Sequence, residues 1–439
     1  MKGSIWAGIL LVLGLALTNG CAGRGGNAGF TSGMGRPRST PTEITWSFWG
    51  DPEEVKINEE VIRRFEAVHP EIKIKTRHAP WSSYFNTIAP SLNTEDPPDV
   101  LFLEDAPFYA KDGVLENLTP YIKRDNYDLK DYWQELLDTH RYNGDLYSLP
   151  RDNDTSVVYY NKTMLAEAGI EPPDENTTWD EFRAMLERLT ITEGNDVVRY
   201  GLAMEQGKWR HWLWQTGHGV LDSNTNPSRC LLDQPDSIEA VTWFNDRIQD
   251  GFVLTGAALE DVGGDAGAFQ SRQVAMIIQN ASRIPTLNNT PKLEYAVAPL
   301  PIRKGWRRAG QTSGAGYVIA ANSKHKEAAW VFLKWLQSPE GQLAFVGDTG
   351  AMVPALKSIA RSEAWQKLPP EGRTAFMLET ESQAPPDGKF AEWPQLLTEV
   401  IEPDMAWIWA GKAQPADLLP VTCDKVDEFL QASHYPRSP

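Results

Sequence analysis

The residues best able to do chemistry in this 439-residue chain are its 17 tryptophans and its 59 aspartates and glutamates. An indole offers a flat, polarizable surface to the C–H face of a sugar ring. A carboxylate accepts hydrogen bonds from the hydroxyl rim, each charge-assisted bond contributing roughly 1.5–3 kcal/mol. The tryptophan count is more than core packing requires and suggests recognition by aromatic surfaces in general. No CxxC or HExxH spacing occurs, so neither a metal site nor a cofactor is expected.

Charge and composition narrow the partners. The formal net charge is −17, and the first 42 residues hold four cations (Lys2, Arg24, Arg36, Arg38) and no acid, which leaves −21 on the rest. Binding a phosphate backbone needs clustered cations, and no such run exists, so nucleic acid is excluded as a partner. An acidic body also repels anionic lipid. With 41% hydrophobic and 23% charged residues the chain is an ordinary globular one, long enough for two or three domain-sized cores.

The N-terminus reads as an address. Lys2 precedes an apolar run from Ile5 to Leu17, too short to span a bilayer and suited to the core of a signal peptide over residues 1–20. The ending Leu17-Thr18-Asn19-Gly20-Cys21 resembles a bacterial lipoprotein signal, which implies lipid on Cys21 and membrane attachment through that lipid alone; the alternative is an ordinary secretory signal cleaved near Ala22-Gly23. Residues 21–42, rich in Gly, Ser, Thr and Pro, read as a flexible tether. Cys230 and Cys423 remain, and export permits either a disulfide or two separate buried thiols.

Stepping along the chain, the elements alternate. Ile44–Trp49, Ile72–Lys75 and Asp99–Leu103 read as strands, with a helix opened by Asp51 as N-cap and Pro52 at N1. Thr178-Trp179-Asp180-Glu181 is a capping box. After Pro354 only helices are expected, with a long one from Trp393 to Trp409. The order argues for an α/β fold with sheets covered on both faces. Ligands in such sheets bind beyond the carboxyl ends of strands, where this chain carries Trp49, Asp51, Glu104 and Asp105. Trp49 could instead pack in the core, and Asp51 could serve only as a cap.

Several blocks then resemble one family. Pro150-Arg151-Asp152-Asn153-Asp154-Thr155-Ser156-Val157-Val158-Tyr159-Tyr160-Asn161 with Leu165, Ser323 through Trp330, Ser338-Pro339-Glu340 and Pro97-Pro98-Asp99-Val100 are similar, in kind and order, to the extracellular solute-binding proteins of ABC transporters, in the sugar-binding family that includes maltose-binding protein. Arg151 departs from the apolar residue usual there. The resemblance implies a two-lobe periplasmic-binding-protein-like fold with about three chain crossings near 149–154, 311–317 and 351–357. Lobe one would be 43–150 plus 317–352, and lobe two 155–311 plus 357–439. It further implies a monomer that closes on a carbohydrate, a neutral oligosaccharide being favoured because the candidate aromatics are many and spread along the chain, and docks on membrane permease subunits at the bacterial cell envelope, with no enzymatic activity.

The resemblance also nominates site residues. These are Trp81, Asp152 and Asp154, the cluster Trp209, Trp212 and Trp214 (of which helical spacing sends at least one into the core), Asn280 and Ser282 where relatives carry a Gly-Trp absent here, the crossing Gly314, Gly316 and Tyr317, and Trp393 as a stacking ring. A polyol phosphate, polyamine or peptide ligand is the alternative of the same type. A secreted glycoside hydrolase, needing two carboxylates about 5–9.5 Å apart, is the rival of a different class.

Overall fold

In the computed structural model, residues 40–50, 52–224, 226–311, 313–346, 350–382, 388, 390 and 392–433 are described. The signal peptide, most of the tether, Cys21 and Asp51 lie outside the described residues.

The strands that matter for the site are, in chain order, β1 (Thr42–Trp49), β2 (Ile72–Ala79), β3 (Val100–Leu103), β4 (Ser148–Pro150), β5 (Asp152–Asn153), β6 (Val157–Asn161), β7 (Asp196–Ala203), β8 (Val253–Leu254), β9 (Val274–Gln279), β10 (Tyr295–Ala298), β11 (Gly316–Ile319) and β12 (Val353–Pro354). Ten of them form two sheets, one per lobe, and β5 pairs with β12 apart from both. Sheet one runs β2-β1-β3-β11-β4, and sheet two runs β8-β7-β9-β6-β10. The first three strands of each are parallel, and the fourth is antiparallel to its neighbours. The antiparallel strand sits out of sequence order in each sheet: β6 opens lobe two, and β11 returns to lobe one only after β10.

Patterning explains the elements. β3 and β9 are apolar or buried at every position because helices cover both faces. In β1, Ile44, Trp46 and Phe48 share the side on which Trp46 meets Phe102 and Phe332 edge-on at 5.5 and 5.1 Å. The capping box forms: the Thr178 N–H donates to Glu181 at 2.8 Å, and the Glu181 N–H returns a bond to the Thr178 hydroxyl. The long helix expected over 393–409 is instead three pieces, Trp393–Leu396, a π-helical turn Leu397–Ile401, and Glu402–Trp409. Pro403 follows that turn, and a proline ring displaces the carbonyl four residues back, which the wider turn accommodates.

Most of the tryptophan surplus is core. Trp179, Trp212 and Trp243 lie 4.7–5.8 Å apart between ring centroids, with Trp306 against Trp179 at 5.3 Å. Burying about 200 Å² of such a ring contributes about 5 kcal/mol. Cys230 and Cys423 are joined as a disulfide with Cα atoms 5.1 Å apart, tying the segment before helix Pro235–Gln249 to helix Pro415–Ala432. Among the described residues no helix is long and apolar enough to cross a membrane.

Three stretches connect the sheets. The first, after β4, passes through Arg151 and β5 into β6. The second runs from β10 to β11. The third is marked by β12, which pairs antiparallel with β5 (Val353 opposite Asn153, Pro354 opposite Asp152). Helix Thr374–Glu381 holds the first two from the lobe-two side. Asn153 donates to the Thr380 hydroxyl at 2.8 Å, and Glu379 accepts from the Leu300 N–H at 2.8 Å and from the Arg308 guanidinium. Burial pushes the Glu379 carboxyl up to about 7 despite that cation.

Candidate functional site

The carboxyl ends of the parallel strands gather the polar groups. In sheet one, β1 ends at Trp49, β2 is followed by Trp81, and β3 is followed by Glu104 and Asp105. In sheet two, β7 leads into the turn Gln206–Trp209, which carries Lys208, and β9 ends at Gln279 before Asn280.

Glu104 is exposed at the tip of β3 and accepts a hydrogen bond from the Trp81 indole N–H at 3.0 Å. Its carboxyl is nonetheless raised, first by the dense protein around it, against the Trp81 bond and the charge of Arg151. Asp154 is the central group. Its carboxyl is pushed up to about 7 by burial and by the like charges of Asp152 and Glu104, while Lys208 and Arg151 act in the opposite sense. Glu104 follows a strand of sheet one and Lys208 a strand of sheet two, so charges from the ends of both sheets act on Asp154.

Lys208 is held in turn. Its ammonium donates to the Ile278 carbonyl at 2.9 Å and lies 3.4 Å from Glu205 and 3.6 Å from Asp265. Asp265 also accepts from the Gln279 amide. Burial lowers the Lys208 pKa against the pull of these two acids. Lys208, Glu205, Asp265 and Gln279 escaped the sequence reading. The available signal was position alone: Lys208 falls just beyond a parallel strand, inside a run that draws attention to its tryptophans.

Arg151 and Asp152 form a buried ion pair at 2.5 Å. The guanidinium lies 4.6 Å from the Phe102 ring centroid and 5.1 Å from those of Trp49 and Phe345, an aromatic enclosure that explains how a cation replaces an apolar residue here. The second Asp152 oxygen accepts the Ala315 N–H at 3.2 Å. Gly314 passes so close that a Cβ would stand 2.4 Å from the Asp152 carbonyl oxygen, and one on Gly316 would stand 2.7 Å from the Ser148 hydroxyl. These two glycines are therefore accounted for by the packing of one crossing on another.

Other nominated residues separate. Trp81 is 57% exposed and presents open indole surface beside Glu104. Asp105 is exposed at the start of helix Ala106–Lys111, with no side-chain cap bond. Trp49 is buried among Tyr84, Phe102 and Arg151, as in its core alternative. Trp212 is 1% exposed in the indole cluster, and Trp209 is buried against Trp409, so neither leaves a ring face for a ligand. Tyr317 is fully buried against Phe102 inside sheet one; its strand position sends the side chain into the core, which corrects the expectation of contact there. Trp214 and Trp393 are both buried, and the Arg210 guanidinium lies 5.7 and 5.9 Å from their ring centroids. Asn280 caps its own turn: Oδ1 accepts the Ser282 N–H at 3.1 Å and hydroxyl at 2.6 Å. Among the described residues no group of three or more His, Cys, Asp or Glu side chains could hold a metal ion.

The arabinooligosaccharide-binding protein of Bacillus subtilis is 25% identical over 326 residues, 71% of this chain and 73% of that protein. The multiple sugar-binding protein of Streptococcus mutans is 24% identical over 364 residues, 77% and 81% of the two chains. An ABC substrate-binding protein from Listeria monocytogenes in complex with cycloalternan shares the fold with a TM-score of 0.76 at 22% identity, over 89% of this chain and 99% of that one. The sugar-binding protein MalE from Xanthomonas citri does so with a TM-score of 0.76 at 22% identity, over 90% and 98%. The profile of the bacterial extracellular solute-binding proteins matches residues 50–343, more than half of the chain, and the protein belongs to that family.

Proposed function

We propose that the protein is the substrate-binding component of an ABC importer. It captures a carbohydrate, a neutral oligosaccharide, between its two lobes and delivers it to a membrane permease. The observation that carries this reading is that Glu104, beyond the carboxyl end of β3, and Lys208, beyond that of β7, both act by their charge on Asp154 at the first crossing. A ligand touching Glu104 and Trp81 on one side and Lys208 on the other bridges the lobes, and binding the closed form more tightly is what shifts an open–closed equilibrium. The sugar-binding relatives named above support the ligand class. Lobe one is residues 43–150 plus 317–352 and lobe two 155–311 plus 357–439, turning about the crossings near 149–154, 311–317 and 351–357. Trp81, Glu104, Asp105 and Asp154 line the cleft on the side of lobe one and the hinge, with Asp152 buried behind them and held by Arg151 and the Ala315 N–H. Lipid on Cys21 anchors the chain to the membrane, and Cys21→Ala is expected to release it; retention under high salt would refute the anchor.

Isothermal calorimetry against maltotriose, arabino-oligosaccharides and galacto-oligosaccharides tests the ligand class. One-to-one binding of at least one, with the sugar recovered intact after long incubation, is expected. Recovery of shortened sugar would instead favour a hydrolase, and a non-carbohydrate in the mass spectrum of copurifying material would overturn the sugar.

A further inference from the structure

The pairing of β5 with β12 stops one rung earlier than its register allows. Asp152 faces Pro354 and Asn153 faces Val353, so the next facing pair is Arg151 and Ala355. Those two do not complete the ladder. The Arg151 N–H is already given to the Ala315 carbonyl of the second crossing at 2.8 Å. Between the Arg151 carbonyl and the Ala355 N–H lies instead the side-chain amide of Gln342, from helix Pro339–Val346. Its Nε2 donates to the Arg151 carbonyl at 3.1 Å, and its Oε1 accepts the Ala355 N–H at 3.1 Å. Gln342 is fully buried. An amide side chain carries the same donor and acceptor as a peptide unit, so it stands in for a backbone rung.

Gln337, the C-cap of helix Lys326–Leu336, supports the arrangement. Its Nε2 donates to the Pro150 carbonyl at 2.8 Å, its Oε1 accepts the Tyr132 hydroxyl at 2.9 Å, and it lies 3.5 Å from the Gln342 amide nitrogen. The backbone of Arg151 is therefore a node. Its N–H joins the first crossing to the second, and its carbonyl joins the first to the third through Gln342.

We propose that Gln342 is a positioning residue for ligand capture: its amide is an adjustable rung that keeps the first and third crossings in register on lobe one while the lobes open and close. A direct rung fixes two strands at one spacing. A side chain with three rotatable bonds holds both partners while the strands splay or approach. This rests on the hinge closure proposed above, and the experiment separates the two.

The test compares Gln342→Leu, Gln342→Glu and wild type, read by amide hydrogen exchange, by small-angle scattering without ligand, and by calorimetry with maltotriose, arabino-oligosaccharides and galacto-oligosaccharides. In Gln342→Leu the Ala355 N–H loses its acceptor and exchanges at least about tenfold faster, while Leu101 and Ile277 in the sheet centres keep their rates. The ligand-free radius of gyration rises, and affinity for the sugar that binds wild type falls about tenfold. Gln342→Glu still accepts from Ala355 and restores that amide's protection; ionised, it cannot donate to the Arg151 carbonyl and affinity stays reduced, whereas at pH values low enough to protonate the buried carboxyl its O–H donates there and affinity recovers. Equal acceleration of exchange throughout the protein, or unchanged exchange at Ala355 with unchanged scattering, overturns the proposal. If no sugar binds wild type, the sugar reading fails, and the exchange and scattering results still decide the role of Gln342.

Discussion

The Trp81 indole N–H donates to Glu104 Oε1 across 3.0 Å, joining the residue that opens the helix after β2 to the residue that follows β3. This bond orients an exposed ring and an exposed carboxylate together, the pair that the proposed capture assigns to the face of a ligand and to its hydroxyls. Trp81→Ala is therefore expected to weaken oligosaccharide binding about tenfold or more. Because the ring is mostly exposed, the melting temperature of the empty protein should move by less than about 2 °C. Calorimetry and a thermal melt separate these effects; a large loss of stability with unchanged affinity would assign the ring to packing.

Asp154 makes stability depend on pH in a definite direction. Its carboxyl is raised from 3.8 to about 7 in the folded protein. Between those values the folded state holds the proton more often than the unfolded state, so stability falls as pH rises through that window. Asp154→Asn removes this dependence. The stability of the variant relative to wild type should therefore be higher at pH 8 than at pH 5, by about 1–2 kcal/mol after allowing for solvent screening. Urea titrations at the two pH values test it. A difference that does not change with pH would mean the carboxyl is already ionised below pH 5.

Removing Arg151 should be costly, and the cost should depend on its partner. Arg151→Leu leaves the Asp152 carboxylate buried beside the crossings without its cation, expected to cost roughly 3–5 kcal/mol. Adding Asp152→Asn should return much of that loss. Equal stability of the single and double variants in urea would show that the aromatic enclosure, and not the charge, is what Arg151 supplies.

The disulfide closes a span of 193 residues between Cys230 and Cys423. Replacing both by serine should lower stability by roughly 2–5 kcal/mol. Both cysteines belong to the lobe-two core, far along the chain from the cleft residues, so ligand affinity measured below the melting transition should be unaffected. A drop in affinity matching the drop in stability would contradict that separation.

Much of the architecture was legible because it depends on local pattern. The β-α-β-α-β order from Thr42 to Leu103 and the capping box at Thr178 appear where hydrophobic period and cap chemistry put them. The site was less legible. Tryptophans of one type divide into an exposed ring at 81 and packed rings at 209 and 212, and only the direction of each side chain in the fold decides between them. Whether Cys230 meets Cys423 is a matter of tertiary proximity, which spacing leaves open. Lys208 and Gln342 act through partners such as Asp265 and Ala355, and a single sequence does not reveal those pairings.

The returning strand β11 has a consequence for how the chain comes into being. A polypeptide that emerges N-terminus first delivers β1, β2 and β3 early, but the edge of β3 finds its neighbour only when Gly316–Ile319 arrives, after all the strands of the second sheet. Until then an apolar strand, Val-Leu-Phe-Leu, has an unsatisfied side, the kind of edge that invites wrong partners. The N-terminal lobe therefore cannot finish first. The two lobes must mature together, and a nascent chain stalled before residue 316 should remain a client of holding chaperones on whichever side of the membrane it waits.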